Sequence, residues 1–322
     1  MKKHFILFFL FIATVACDKQ SKTEKAVEQI PMDIKIQRFD KIFYETKPED
    51  FPALRAQYPK FFSGTDDIWV ERLKNPMWRE LYNEVQKKYG NFGKQQTEIE
   101  ELFKHIKYYF PKTTAPKLVT VIGEVNPSNK VFYDNGLVII SLDLYLGADH
   151  PFYQDIYQYQ RQGLTERQMM PDLAAAFVET QVPPGKDAML ISGMIYYGKQ
   201  LYLKDLLLPD YNDAEKIGYK PEQQAWCEEF ESYIWRYFIE NKLLYDTDAK
   251  LPPRFLNPAP FSKFYLEIDN DSPGRVGQWI GWQIVRSFMK NNDVSLQDML
   301  KLDGREIFER SRYKPKKIDE TE

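Results

Sequence analysis

"DSPGRVGQWIGWQIVRSFM", Asp271 to Met289, decides how the chain is read. Glycines at 274, 277 and 281 sit among Val276, Trp279, Ile280, Trp282, Ile284, Val285 and Phe288. Each glycine costs a helix roughly 1 kcal/mol against alanine, yet the apolar spacing is helical. At 100° per residue the three glycines share one face, which lets another backbone approach closely. In a bilayer such a face suggests small-xxx-small dimerisation. Arg275, Gln278, Gln283 and Arg286 interrupt any spanning run, so the helix is expected at the centre of a soluble helical core. Asp271 or Ser272 is placed to cap it, with Pro273 in the first turn. Trp279 and Trp282 are large anchors, packed internally or presented to a partner.

Helical patterns dominate outward from this stretch. "TEIEELFKHIKYYF" carries an apolar stripe of Ile99, Leu102, Phe103, Ile106 and Phe110, with Thr97 and Glu100 as a candidate capping box. "TERQMMPDLAAAFVETQ" offers a second box in Thr165 and Gln168. A long pattern, "KDAMLISGMIYYGKQLYLKDLLLP", stops at Pro209, and another runs from Pro221. β character is confined to "DIKIQRFD" at 33–40, "KLVTVIGEV" and "KVFYDNGLVIISLDLYL". The last reads as a hairpin because Asn135-Gly136 accepts the positive φ of a tight turn. "LVIISL" is apolar throughout, which places it inside the sheet. The expected class is α+β, mostly helical with a small sheet.

The amino terminus speaks to location. Lys2 and Lys3 precede an apolar run of about a dozen residues, Phe5 to Ala16, too short to span a bilayer and typical of a signal peptide. It ends in "TVAC", similar to the lipobox in which a cysteine is acylated and becomes the new terminus, although Thr14 stands where leucine is usual. Cys17 is therefore the expected lipidation site. Several acyl chains make a stable anchor where one is marginal. The expected organisation is a signal peptide at 1–16, a lipidated flexible tether at 17–31, one globular domain at 32–314 and a charged tail at 315–322. The expected place is the cell envelope, anchored to a membrane on the periplasmic side.

The 322 residues carry a formal net charge of −3, so no basic excess points to nucleic acid. The only cysteines are Cys17 and Cys227, which excludes a disulfide framework if Cys17 is acylated. Cys227 lies in a helical pattern and reads as a small core or half-exposed residue. Aromatic residues make up 15% of the chain, which suits a well-filled core with hydroxyls at its rim.

The order of strand, capped helix, long helix and late glycine-bearing helix resembles zincin metallopeptidases. That chemistry needs two histidines one turn apart, so both imidazoles reach one zinc, with Glu as base. The chain has three histidines: His4 in the signal, His105 read as half-exposed on a helix, and His150 read as a solvated loop residue. Where HExxH would fall stands "DLAAAFVETQ", with Glu179 its one acid after Asp172; the following helix offers Ser192-Gly193 in place of a Glu-Gly step. No catalytic residue, metal or cofactor is expected. No Gly-rich phosphate loop and no G-x-S-x-G occurs. Glu228, Glu229 and Glu231 could serve a glycosidase, but an acidic run on a helix is more often a solvated face. A residual groove near Glu179 and Ser192, with Arg275, Trp279 and Trp282 as further contact residues, is the candidate interaction site.

"TVAC", "NGLVIISLDLYLG", "SGMIYYGKQLYLKDLLLP", "SPGRVGQWIGWQIVRSFM" and "IFERSRYKPKK" together resemble the gliding motility lipoprotein GldB family across most of the mature chain. The resemblance implies an envelope lipoprotein that supports surface motility with partner Gld proteins and has a link to type IX secretion. It also implies a degenerate, zincin-like scaffold that has lost its ligands. Only Cys17 carries over as a defined functional residue. The expected role is structural or assembly-supporting; the alternative is an envelope hydrolase of peptide or glycan on the same scaffold.

Overall fold

Asn135 and Gly136 take φ of 44° and 80°, and the chain reverses there. The turn joins β3 (Val131–Asp134) to β4 (Leu137–Ser141) as an antiparallel pair. β4 also pairs in parallel with β2 (Lys117–Val121), which pairs in parallel with β1 (Ile36–Arg38). The sheet order is β1-β2-β4-β3, so the apolar strand expected inside the sheet is indeed flanked on both sides. These features belong to a computed structural model that describes residues 22–316. The signal peptide, Cys17, residues 18–21 and the tail from 317 lie outside the described residues.

The rest is helical. Between β1 and β2 run α2 (Phe39–Tyr44), α3 (Phe51–Gln57), α4 (Asp66–Lys74), α5 (Pro76–Tyr89) and α6 (Gly93–Tyr109), with α1 (Lys22–Glu28) before them. After the sheet come α7 (Gln158–Arg161), α8 (Met169–Gln181), α9 (Leu190–Leu207), α10 (Asp213–Ile217), α11 (Pro221–Glu240) and α12 (Leu251–Phe255). α13 (Val276–Asn291), α14 (Leu296–Lys301) and α15 (Gly304–Ser311) close the fold. α8 lies against the edge strand β3 on one side and α9 on the other. Among the described residues no helix is long and apolar enough to cross a membrane.

α13 is buried on nearly every face and packs most extensively on α9. The glycines make this possible. A Cβ at Gly281 would collide with the Met194 carbonyl, and one at Gly198 with the Gly281 carbonyl. Gly277 meets Phe255 and Leu256 of the α12 turn in the same way. The tryptophans are packed internally, Trp279 2% and Trp282 0% exposed, in an edge-on pair with centroids 5.8 Å apart. They are not presented to a partner. One turn on, Arg286 stacks 3.8 Å over Trp282 and forms paired hydrogen bonds with Asp205 and Asp213. Asp205 also accepts from Trp282 Nε1 at 2.9 Å and from Lys216 at 3.0 Å.

Several local expectations change. α13 begins only at Val276, after Arg275 in the left-handed conformation at φ 66°. The expected cap at Asp271 or Ser272 does not form, because Ser262, distant in sequence, receives the Val276 N–H at 3.3 Å and donates to the Pro273 carbonyl. Thr97 is inside α6 and bonds back to the Gly93 carbonyl. Thr165 makes no side-chain cap, and Gln168 instead donates to the Glu215 carbonyl. β1 is shorter than 33–40 because Asp40, buried and held by Arg38, Thr120 and Gln86, turns the chain into α2. Residues 22–28 of the expected tether form α1, with Val27 buried against the body. His105, read as half-exposed, is 2% exposed: its Nδ1 faces the Glu101 carbonyl and its Nε2 faces Glu24 of α1.

Candidate functional site

Lys204 lies beside Asp205 in the leucine-rich end of α9 and is buried. Its Nζ donates to the Lys216 carbonyl at 2.8 Å, near the end of α10. Burial lowers its pKa to about 8, helped by the nearby charges of Arg275 and Lys130 and opposed by Asp172. These groups line a cavity of about 430 Å³ bounded by α8, α9, the α10–α11 turn, the start of α13 and the loop before β3.

The walls are built locally. α10 ends at Gly218 in the left-handed conformation, a cap that satisfies the Ala214 and Glu215 carbonyls and leaves those of Lys216, Ile217 and Gly218 to side chains. Arg275 donates to two of them, Ile217 at 2.8 Å and Gly218 at 3.4 Å, and its guanidinium lies 5.2 Å over the Tyr219 ring. Tyr219 donates to the Gly274 carbonyl at 2.5 Å, tying this turn to the residue before Arg275. A non-glycine residue at positive φ stores strain that the surroundings must hold, and such residues gather at functional sites. On the α8 side, Asp172 accepts from Lys130 at 3.1 Å and from Tyr145 at 3.1 Å. Gln162, Gln223 and Gln278 add amides to the lining. Beneath the turn, Cys227 is buried, and burial drives its thiol far above the range in which it reacts.

A second cavity, about 240 Å³, opens at the carboxyl ends of the parallel strands, between Phe43, Phe62, Trp69 and Arg72. Its charges are already satisfied. Asp40 is paired with Arg38 at 2.7 Å. Arg72 is fixed between the Trp69 and Trp78 rings and donates to the Ile122 and Gly123 carbonyls. Asp143, whose pKa burial raises, accepts from the Gly123 and Val125 backbone. This end of the sheet is a structural network.

The residues expected from sequence fall in separate places. Arg275 is in the large cavity. Glu179 is exposed at the end of α8, near Tyr196 and Tyr197. Ser192 is buried against Gly304, its hydroxyl without a hydrogen-bond partner among the described residues, beside a cavity of about 60 Å³ that Glu179 does not line. Trp279 and Trp282 belong to the core. Glu228 and Glu229 are exposed, whereas Glu231 is 4% exposed and accepts from Tyr313 at 2.6 Å, so it is not part of a solvated face. His150 caps the turn at Phe152 and faces Glu84 at 3.4 Å. Among the described residues no three or more His, Cys, Asp or Glu side chains gather in a way that could hold a metal ion. Sequence reading gave no role to Lys204, Asp172 and Lys130; the available signal was the Lys204-Asp205 pair inside the leucine-rich "LYLKDLLL".

A family model described as gliding motility protein GldB matches residues 20–315. No curated protein and no solved structure matches the chain.

Proposed function

The chain belongs to the gliding motility protein GldB family, and from that premise we propose that it is an envelope lipoprotein, anchored through Cys17, that supports gliding motility and the associated secretion machinery by binding and assembly, without catalysis. The single observation that carries this is the family match across almost the whole body. The histidines support a non-catalytic reading, since His105 and His150 are each engaged in local packing and hydrogen bonding. A degenerate zincin-like scaffold is supported by α8 lying between the edge strand β3 and α9, with the cavity along its side.

Docking of α1 bears on the anchor. It leaves residues 18–21 between Cys17 and Lys22, a span of at most ~18 Å fully extended. An acylated Cys17 thus holds the body against the membrane surface.

The test is complementation of a deletion strain. Cys17→Ala is expected to move the protein from the membrane to the soluble fraction and stop gliding, while Glu179→Gln leaves gliding intact. Normal gliding with fully soluble protein would overturn the anchoring role. Loss of gliding in folded Glu179→Gln, with hydrolysis of a peptide or glycan by the wild type alone, would overturn the non-catalytic one.

A further inference from the structure

Lys204 and Arg275 share one cavity, yet among the described residues neither has a carboxylate within ion-pair distance. Among the described residues the one carboxylate lining it, Asp172, is already paired with Lys130. Two positive charges therefore line the same cleft, Lys204 held by one backbone carbonyl and Arg275 by two and by the Tyr219 ring. Like charges near one another in a low-dielectric wall repel unless a counter-charge enters. A fold with no use for the space would more readily carry apolar or neutral residues there.

We propose that this cavity is a binding site for a small polar anion, a molecule bearing a carboxylate or phosphate group that sits between Lys204 and Arg275. Lys204 commits one of its three N–H donors to Lys216, and Arg275 commits its donors to two carbonyls on one side. Both keep donors for a ligand oxygen. Gln162 donates to the Gly218 carbonyl and to Gln223, and Gln278 to the Leu256 carbonyl, which leaves the Gln162 and Gln278 amide oxygens and the Gln223 amide nitrogen for the rest of the molecule. A volume of about 430 Å³ is that of a small-molecule site. The strained Arg275 backbone places the guanidinium here at a cost that glycine would not incur. The site goes beyond the proposed motility role and does not depend on it.

The experiment is calorimetric titration of the full chain in detergent with citrate and, separately, inorganic pyrophosphate at low ionic strength. Saturable one-to-one binding of at least one probe is expected. Preference for citrate identifies a carboxylate ligand, and preference for pyrophosphate a phosphate. Lys204→Met and Arg275→Gly are each expected to weaken binding by about tenfold or more. Arg275→Gly keeps the left-handed backbone, so it reports on the cation even if Lys204→Met fails to fold. Lys290→Met, an exposed cation on α13, should bind as the wild type does. Failure of both probes to saturate at millimolar concentration overturns the proposal, as does binding that Arg275→Gly leaves unchanged.

Discussion

Gly281 of α13 lies against the Met194 carbonyl of α9 so closely that no Cβ fits between them. Gly198, one turn along α9 from Met194, meets Gly281 in return. The two helices are therefore joined backbone to backbone at the centre of the fold. Gly281→Ala must push them apart and is expected to cost about 3 kcal/mol, the upper part of the overpacking range. Gly136→Ala makes the comparison: its Cβ meets nothing within 4 Å, but φ is +80°, so only backbone strain of about 1 kcal/mol is expected. Urea unfolding of both variants measures the difference. Equal losses would show that the crossing tolerates separation.

Asp205 holds the same pair of helices by charge. It receives Arg286, Lys216 and the Trp282 indole, all on other elements. Asp205→Ala leaves Arg286 half-buried with only Asp213 to answer it, and a loss of about 3 kcal/mol is expected. The partner carboxylate gives a pH signature. Burial pushes the Asp213 pKa up, but the Arg286 hydrogen bonds and charge outweigh it and hold the group below its ordinary value. Its stabilisation is thus present above the unfolded pKa near 4 and fades as pH falls below that. Asp213→Asn should flatten the acid limb of the stability curve; an unchanged limb would remove Asp213 from the account.

The central helix, the hairpin and the buried strand were legible because each depends on local rules. Asn135-Gly136 needs its positive φ wherever it lies, and a helix apolar on most faces belongs inside. What could not be read was which distant groups meet. Ser262 caps α13 from outside its own segment, and no spacing near Asp271 announces it. His105 looked half-exposed because α1, which covers it, reads as a polar tether. The candidate groove joined Glu179 to Ser192 along the sequence, whereas the fold places the cavity around Lys204 and Arg275. Burial of a lysine depends on its tertiary neighbours, so a lysine among leucines was a signal of position without a signal of use.

Two buried lysines predict stability at alkaline pH. Burial lowers Lys199 and Lys204 to about 8 each, against an unfolded value near 10.4. Between these values the unfolded chain binds more protons at these two sites, so their contribution to stability rises with pH from about 8 upward. Above about 10 the trend reverses, because burial raises Tyr89, Tyr145 and Tyr153 while unfolded tyrosines ionise. The buried Cys227 thiol and the tyrosines pull the other way in both proteins, so urea midpoints from pH 7.5 to 9.5 should fall more steeply in the Lys199→Met, Lys204→Met double variant than in the wild type. Parallel curves for the two proteins would contradict it.

The docking of α1 can be separated from the stability of the body. Glu24 faces His105 Nε2 at 3.2 Å, and Val27 is fully buried where α1 meets α6. Val27→Asp places a carboxylate in that contact without a partner, which costs more than a seven-residue helix can recover. Amide exchange across residues 22–28 is expected to rise to the rate of an unstructured chain while α9 and α13 keep their protection. On the proposed anchoring, gliding should then weaken although Cys17 is untouched, because a released α1 extends the reach between Cys17 and the body by ~20 Å or more. Faster exchange throughout α13 would instead make α1 part of the central cooperative unit. Full gliding with α1 released would show that the distance from the membrane does not matter.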